Sequence, residues 1–499
     1  MRKIRAVRKV RALPAAAVVA VLVGGCATPP SPESGYSTVL HDVVQASANY
    51  ETDGPATLPT EESLSGPHDV TFYVTLALER NPNILAARRA VAAVTETIPQ
   101  ETSLDNPLLE TTFWPDPERS PQTIMGRMPV SIMARQDVPW LAKLRVRGEV
   151  AEQEAKIALA SLAREELSVV EQIRIAYFDL YYLQKATAVT RENEELLEDL
   201  VGFAEIRFRT GGSQQDVLRV EIERERLRNQ LIDYERQLVQ AQADLAALVH
   251  ASPDVEPLAS ESLDLPAAPE ALDRLYELAA RCRPELRERV HEIVRDQRRR
   301  ELARLEYYPD FTVGVAYDVM TTQDAMFPTP HGGDNIGVIA GVSMPIWQDR
   351  LRAGVREAEH RAVESARRYD AERDDSFRQI RRFVAAADAA ARQRLLYRES
   401  IVPRAEQALE ISIADYRVGK TDILQVVNNY TELLNFEIQL ARFEADFGQA
   451  IASLDRVVGC EVAAYLPAVA SSAPPAPAPA AEDDAAEEEP QTSVLTSEG

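Results

Sequence analysis

The chain has 499 residues, 45% hydrophobic and 27% charged, with a net charge of −24. That composition excludes wholesale disorder, and the scattered basic residues exclude a nucleic-acid partner. Three cysteines are too few for a disulfide framework or a zinc cluster. No apolar run reaches the ~20 residues of a membrane-spanning helix, which leaves β-strands as the means of crossing a bilayer.

Residues 1–12 carry Arg2, Lys3, Arg5, Arg8, Lys9 and Arg11 and no acid, followed by the apolar stretch Leu13–Val23 and Gly24-Gly25-Cys26. This is the pattern of a secretory signal over residues 1–25. Cys26 after the small pair resembles a bacterial lipobox, which makes it the lipidated first residue of the mature chain; an ordinary signal with an incidental cysteine is the plainer reading. Ala27 in place of Asp points, by the same resemblance, to the outer membrane. Without the signal the chain has 49 basic and 79 acidic residues. Residues 26–66, rich in Pro, Ser, Thr and Glu, read as a tether. Residues 460–499, with SSAPPAPAPAAEDDAAEEEP, read as a disordered acidic tail.

Between the two ends the chain repeats itself. Asn81-Pro82 is matched by Arg283-Pro284, Asn106-Pro107 by Tyr308-Pro309, Val138-Pro139 by Met344-Pro345, Arg209-Thr210-Gly211 by Arg417-Val418-Gly419, and Asp216-Val217-Leu218 by Asp422-Ile423-Leu424. The order is kept and the offset stays between 202 and 208. This predicts two repeats, 67–250 and 271–459, joined by a Pro-rich linker at 251–270.

Each repeat reads helix, strand, loop, strand, long helix, tight turn, helix. In the first, helix is expected over 69–103, strands over 107–114 and 127–138, a long helix from Leu141 to Phe208, and a second from Gln214 to Val249. Val169, Ile173, Ala176, Leu180 and Leu183 step by fours and threes, as in a coiled coil. In the second, helix is expected over 272–306, strands over 309–320 and 336–344, a helix from Trp347 to Tyr416 kinked at Pro403, and a last helix from Thr421 to Val457. In the strands, Phe311, Val313, Val315, Tyr317 and Val319 alternate with small or polar residues. A helix of ~68 residues is about 100 Å long, which the two shorter helices of its repeat match end to end. The Gly turns then lie at one pole and the strands at the other. Four strands cannot close a barrel, and open edges cannot face lipid. Two copies would supply eight strands, three copies twelve with a lumen.

NPLLETTFW and YPDFTVGVAY at the first strands, QDVPWLAKLRVRGEVA and SMPIWQDRLRAGVREAE at the strand-to-helix passages, and the turns RFRTGGSQQDVL and DYRVGKTDIL together resemble the TolC-type outer-membrane efflux channels over residues 67–459. The resemblance implies a mainly α fold with a small β part: a long coiled-coil-like α-helical barrel under a transmembrane β-barrel of four strands per chain, shared in a homotrimer. It implies the outlet of a tripartite efflux system, lipid-anchored in the outer membrane and extending into the periplasm, with a periplasmic adaptor and an inner-membrane pump as partners. It calls for no cofactor and no catalysis. Some details resemble members of heavy-metal efflux systems, although no dense Met, His or Cys cluster accompanies them.

Arg209, Thr210, Gly211, Gly212, Arg417, Val418, Gly419 and Lys420 are the expected adaptor contacts. Glycine there permits the positive φ of a tight reversal. Tyr416, Asp422, Gln425 and Asn428 are the expected entrance constriction, with Asp422 also suited to capping a helix. The resemblance implies an acidic ring where this chain has the amides Gln425 and Asn428, which weakens that feature. Cys282 and Cys460 are candidates for a disulfide or for two free buried thiols. Two rival readings are a lipid-anchored periplasmic tether without a pore and the outlet of a type I protein secretion system. No Gly-rich phosphate loop, Gly-x-Ser-x-Gly or His-Glu-x-x-His supports an enzyme.

Overall fold

The structure, a computed structural model, describes residue 64 and residues 66–462, apart from 125, 253, 264, 267–270, 323 and 327–333. The signal, Cys26, most of the tether and the acidic tail beyond residue 462 lie outside the described residues; Cys460 and Val462, expected in the tail, pack against a helical core instead.

The first repeat begins with a short strand β1 (Pro67–His68) and helices α1 (Val70–Arg80), α2 (Pro82–Thr95) and α3 (Thr97–Thr102). Strands β2 (Leu108–Phe113), β3 (Gln122–Thr123) and β4 (Gly126–Val138) follow, then the 69-residue helix α4 (Leu141–Arg209) and α5 (Gln214–Leu248). The second repeat has α6 (Leu272–Cys282), α7 (Pro284–Leu305), β6 (Phe311–Thr321), β7 (Asn335–Val342), α8 (Gln348–Leu396), α9 (Val402–Arg417) and α10 (Ile423–Val458). Between the repeats, β5 (Leu258–Ala259) pairs in parallel with β1, a strand that the Pro-rich linker did not announce.

The helices expected over 69–103 and 272–306 are each broken, at Asn81 and at Arg283. Both residues precede a proline, whose ring drives them out of the helical region; their ψ values are 123° and 119°. The breaks do equivalent work. Asn81 Nδ2 donates to Leu248 O at 2.8 Å, and Arg283 Nη1 donates to Val457 O at 3.1 Å. Each thereby satisfies an otherwise orphaned carbonyl at the C-terminus of its own repeat's last helix. The kink expected at Pro403 appears as a π-helical turn, Tyr397–Ile401, just before it. The proline has no N–H for the α ladder, and a wider turn absorbs the loss.

Four long antiparallel strands lie in the order β2-β4-β6-β7, with β3 adding to β4. Register brings Val315 opposite Val338 and Tyr317 opposite Ile336. Those side chains form an exposed face: Val338 is 85% exposed and Ile336 70%, and Leu109 and Phe113 of β2 are open as well. The opposite face is mainly small or polar, with Met133 and Ile339 among its larger members. There Ser131 Oγ donates to Asp318 at 2.6 Å, and Thr312 Oγ1 to Asp137 at 2.6 Å. Among the described residues, β2 pairs only with β4 and β7 only with β6, so both outer edges of the sheet are open.

The cores lie between helices. One gathers Tyr73, Ile84, Ile173, Tyr177, Leu180 and Leu245, locking α1, α2, α4 and α5 beside the β1–β5 pair. Another gathers Leu197, Leu200, Val220, Tyr416, Ile423 and Tyr430 near the glycine turns. Two more hold α6 and α8 against α10. Where sheet meets helix, Lys143 is 2% exposed, and its Nζ donates to both carboxylate oxygens of Asp310 at 2.9 Å. Asp310 Oδ1 also accepts from Trp140 N at 2.9 Å, and Trp140 stacks on Tyr308 at 5.3 Å. The ends of the two repeats' strands are thereby clamped together. Burial pushes the Asp310 carboxyl up, but the hydrogen bonds from Lys143 and Trp140 and the charges of Lys143 and Arg147 together outweigh it, and the group sits below its ordinary value.

Asp310→Ala leaves the buried Lys143 ammonium with Glu306, 3.8 Å away, as its remaining counter-charge. It should cost about 2–3 kcal/mol, less than a fully enclosed pair because Asp310 is partly open to solvent. Lys143→Met with Asp310→Leu should recover most of the loss. The check is the temperature at which each purified variant loses protease resistance.

Candidate functional site

The reversals that join the helix pairs are built alike. At the first, Gly212 N donates to Arg207 O at 2.9 Å and Gly211 N to Phe208 O at 3.1 Å. At the second, Lys420 N donates to Asp415 O at 2.9 Å and Gly419 N to Tyr416 O at 3.1 Å. Both are Schellman closures, whose penultimate residue must be left-handed; Gly211 has φ 105° and Gly419 φ 80°. Ser213 then caps α5 by accepting from Gln215 N at 3.1 Å, and Asp422 caps α10 by accepting from Leu424 N. The Asp422 carboxylate is thus engaged in starting a helix.

The two turns are tied to each other. The Arg207 guanidinium lies 4.5 Å from the centre of the Tyr416 ring and donates to Tyr416 O at 3.2 Å. Arg417 lies 4.6 Å from the ring of Phe203. One cation from each repeat therefore covers an aromatic ring of the other. Tyr416 is 2% exposed. Burial pushes its phenol up, the Asp216 charge adds to this, and Arg207 offsets part of it. Arg207 and Phe203 were absent from the sequence-derived set; their spacing of four on the last turns of α4 was the available signal.

The remaining candidates are dispersed over the tip. Arg209, Thr210, Gly211, Arg417, Val418, Gly419 and Lys420 are exposed, and Gly212 is half-buried. Arg209 reaches Glu205 at 3.8 Å. Gln425 is exposed and donates to Asn429 at 2.8 Å. Asn428 lines a groove of about 540 Å³ between α5 and α10, with Ile222, Arg226 and Leu424. Tyr416 is therefore packed beneath Arg207, apart from Gln425 and Asn428, and the four expected constriction residues do not form one cluster within the chain. Exposed Phe203, Ile206, Phe208, Leu218, Val418 and Leu424 give this end of the molecule apolar surface between the charges of Arg209, Arg417 and Lys420.

Cys282 and Cys460 are free thiols, both half-buried. Burial, then contact with the Cys282 thiol, pushes the Cys460 thiol up to about 12. Among the described residues, no group of three or more His, Cys, Asp or Glu side chains could hold a metal ion.

A cation–π contact is worth about 0.5–1 kcal/mol when exposed and more when desolvated. Arg207→Ala should therefore raise amide exchange in residues 203–209 and 414–420 by roughly fivefold, and Arg417→Ala by less, as read by hydrogen exchange with mass spectrometry.

Comparison with known proteins agrees with this architecture. The family model described as Outer membrane efflux protein matches residues 73–249 and 275–460. The cobalt-zinc-cadmium resistance protein CzcC of Cupriavidus metallidurans is 24% identical over 403 residues, 79% of this chain and 91% of that one. The outer membrane efflux protein BepC of Brucella suis is 24% identical over 342 residues, 65% of this chain and 72% of that one. Among solved structures, the transmembrane channel CusC superposes with a TM-score of 0.67 at 17% identity, covering 79% of this chain and 92% of its own. The outer membrane protein VceC of Vibrio cholerae gives 0.65 at 19% identity, covering 78% and 96%. These likenesses fit a sheet with an apolar outer face on a shaft of long helices, and they place the protein in the outer membrane with its helices in the periplasm. The chain belongs to the outer membrane efflux protein family.

Proposed function

We propose that three copies of this chain form a closed duct, the passive outlet of a tripartite efflux system. Cargo reaches it from an inner-membrane pump through a periplasmic adaptor that docks on the glycine-turn tips. The observation that carries this reading is the sheet with two open edges and an apolar exposed face. In lipid, every backbone group needs a protein partner. Joining β7 of one copy to β2 of the next satisfies both edges, and three copies give a twelve-stranded barrel wide enough for a lumen.

The helix pairs then continue the lumen downward. The apolar tip and its Gly211 and Gly419 turns are the surface offered to the adaptor. The Arg207–Tyr416 and Arg417–Phe203 contacts hold each chain's two helix pairs together at the entrance. Gln425 and Asn428 line that entrance with neutral amides, so the duct leaves the choice of cargo to the pump. The likeness to CzcC supports divalent metal ions as the first cargo class to test. Cys26, lipidated after removal of residues 1–25, anchors the chain beside the barrel. Residues 67–250 and 271–459 act as the two repeats, joined at 251–270.

The purified protein should migrate as a heat-dissociable outer-membrane trimer and conduct ions in a planar bilayer. A monomer without conductance overturns the proposal. Gly211→Ala with Gly419→Ala forces two left-handed positions onto a residue that resists them, at about 1 kcal/mol each. That double variant should lose metal resistance in complemented cells while keeping its trimers. Full resistance would remove the tips from the docking surface.

A further inference from the structure

Cys282 and Cys460 lie 178 positions apart in sequence, yet the fold sets them on either side of one backbone contact. Cys282 ends α6 immediately before Arg283, and Cys460 follows Gly459, the left-handed cap of α10. At Gly459 a Cβ would stand 2.6 Å from Arg283 Cα and 2.9 Å from the Cys282 carbonyl carbon, so the two backbone segments touch with no side chain between them. The contact is held from several directions. Arg283 donates to Val457 O at 3.1 Å and to Glu372 at 3.1 Å, Arg456 reaches Glu285 at 2.6 Å, and Gly459 N donates to Asp455 O at 2.8 Å. Cys460 packs against the α6–α10 cluster of Leu275, Leu278, Leu454 and Val458. The third cysteine, Cys26, is the proposed lipidation site, which leaves these two as a pair.

We infer that Cys282 and Cys460 are a site of disulfide formation, and that the bridge closes the second repeat on itself from the end of its first helix to the end of its last. The inference rests on the periplasmic placement of the helices, the compartment in which disulfides persist. Folding does the searching, because the ion pairs and the Gly459 contact bring the sulfurs together before any oxidation. The co-reactant is a periplasmic protein disulfide. One cysteine thiolate attacks it, forming a mixed disulfide and releasing one of its sulfurs as a thiol. The second cysteine, as thiolate, then displaces the remaining sulfur. Two protons and two electrons leave the chain, and the oxidant becomes a dithiol. In the chain-entropy account, closing so long a loop restricts the unfolded ensemble strongly.

The test uses the full-length protein in outer-membrane fractions from cells quenched with acid and alkylated with N-ethylmaleimide under denaturing conditions. The expected result is no maleimide on Cys282 or Cys460 before reduction, one on each after it, and a linked 282–460 peptide pair in the non-reducing digest. Cys282→Ser should leave Cys460 fully alkylated without reduction, and should shorten survival of the folded protein under protease relative to wild type. Both thiols alkylated in a protein that sits in the outer membrane as a trimer would overturn the bridge while leaving the duct intact. Absence from the outer membrane would instead remove the premise on compartment and overturn both.

Discussion

A backbone amide in hydrocarbon has nothing to bond except another backbone. The sheet of this chain has an exposed apolar face and, among the described residues, two edges without a partner, β2 and β7. The arrangement is untenable for a solitary protein in water and incomplete for a solitary protein in lipid. The clamp of Lys143 and Trp140 on Asp310 and Tyr308 ensures that the strands of both repeats leave the helical shaft in a fixed relation. In the proposed duct, an edge that another copy meets is useful only if its position is set.

The duplication explains much of the rest. A repeat is one long helix flanked by strands at one end and a glycine turn at the other, with a broken helix returning alongside. Asn81 and Arg283 show how two copies diverge in chemistry while keeping a task. One uses an amide and the other a guanidinium, and both close the C-terminus of their repeat's last helix. At the tips the halves are complementary, since each supplies a cation to the other's aromatic ring.

The long elements were legible because they depend on periodicity. The 3.6-residue stripe through Val169 and Leu180 and the alternation from Phe311 to Val319 each extend over many residues, and glycines at 211 and 419 mark reversals that few other residues tolerate. The family resemblance added the expectation of three copies. The breaks at Asn81 and Arg283 show in the sequence only as the prolines that follow them, because the steric effect of Pro falls on the preceding residue. The β1–β5 pair was not legible: two-residue strands have no periodicity, and this one depends on Tyr73 donating to Leu258 O at 2.9 Å across the fold. The Arg207–Tyr416 and Arg417–Phe203 pairs were also hidden, since they join residues more than 200 positions apart.

The π turn at Tyr397–Ile401 affects everything beyond it. One residue beyond the α ladder rotates the following helix by about 100° around its axis. The direction in which α9 aims Tyr416 is therefore set by five residues some four turns away. Phase along this rod is an inherited quantity: the aromatic ring at its foot keeps its bearing only while the count of residues above it is preserved, whatever their identity.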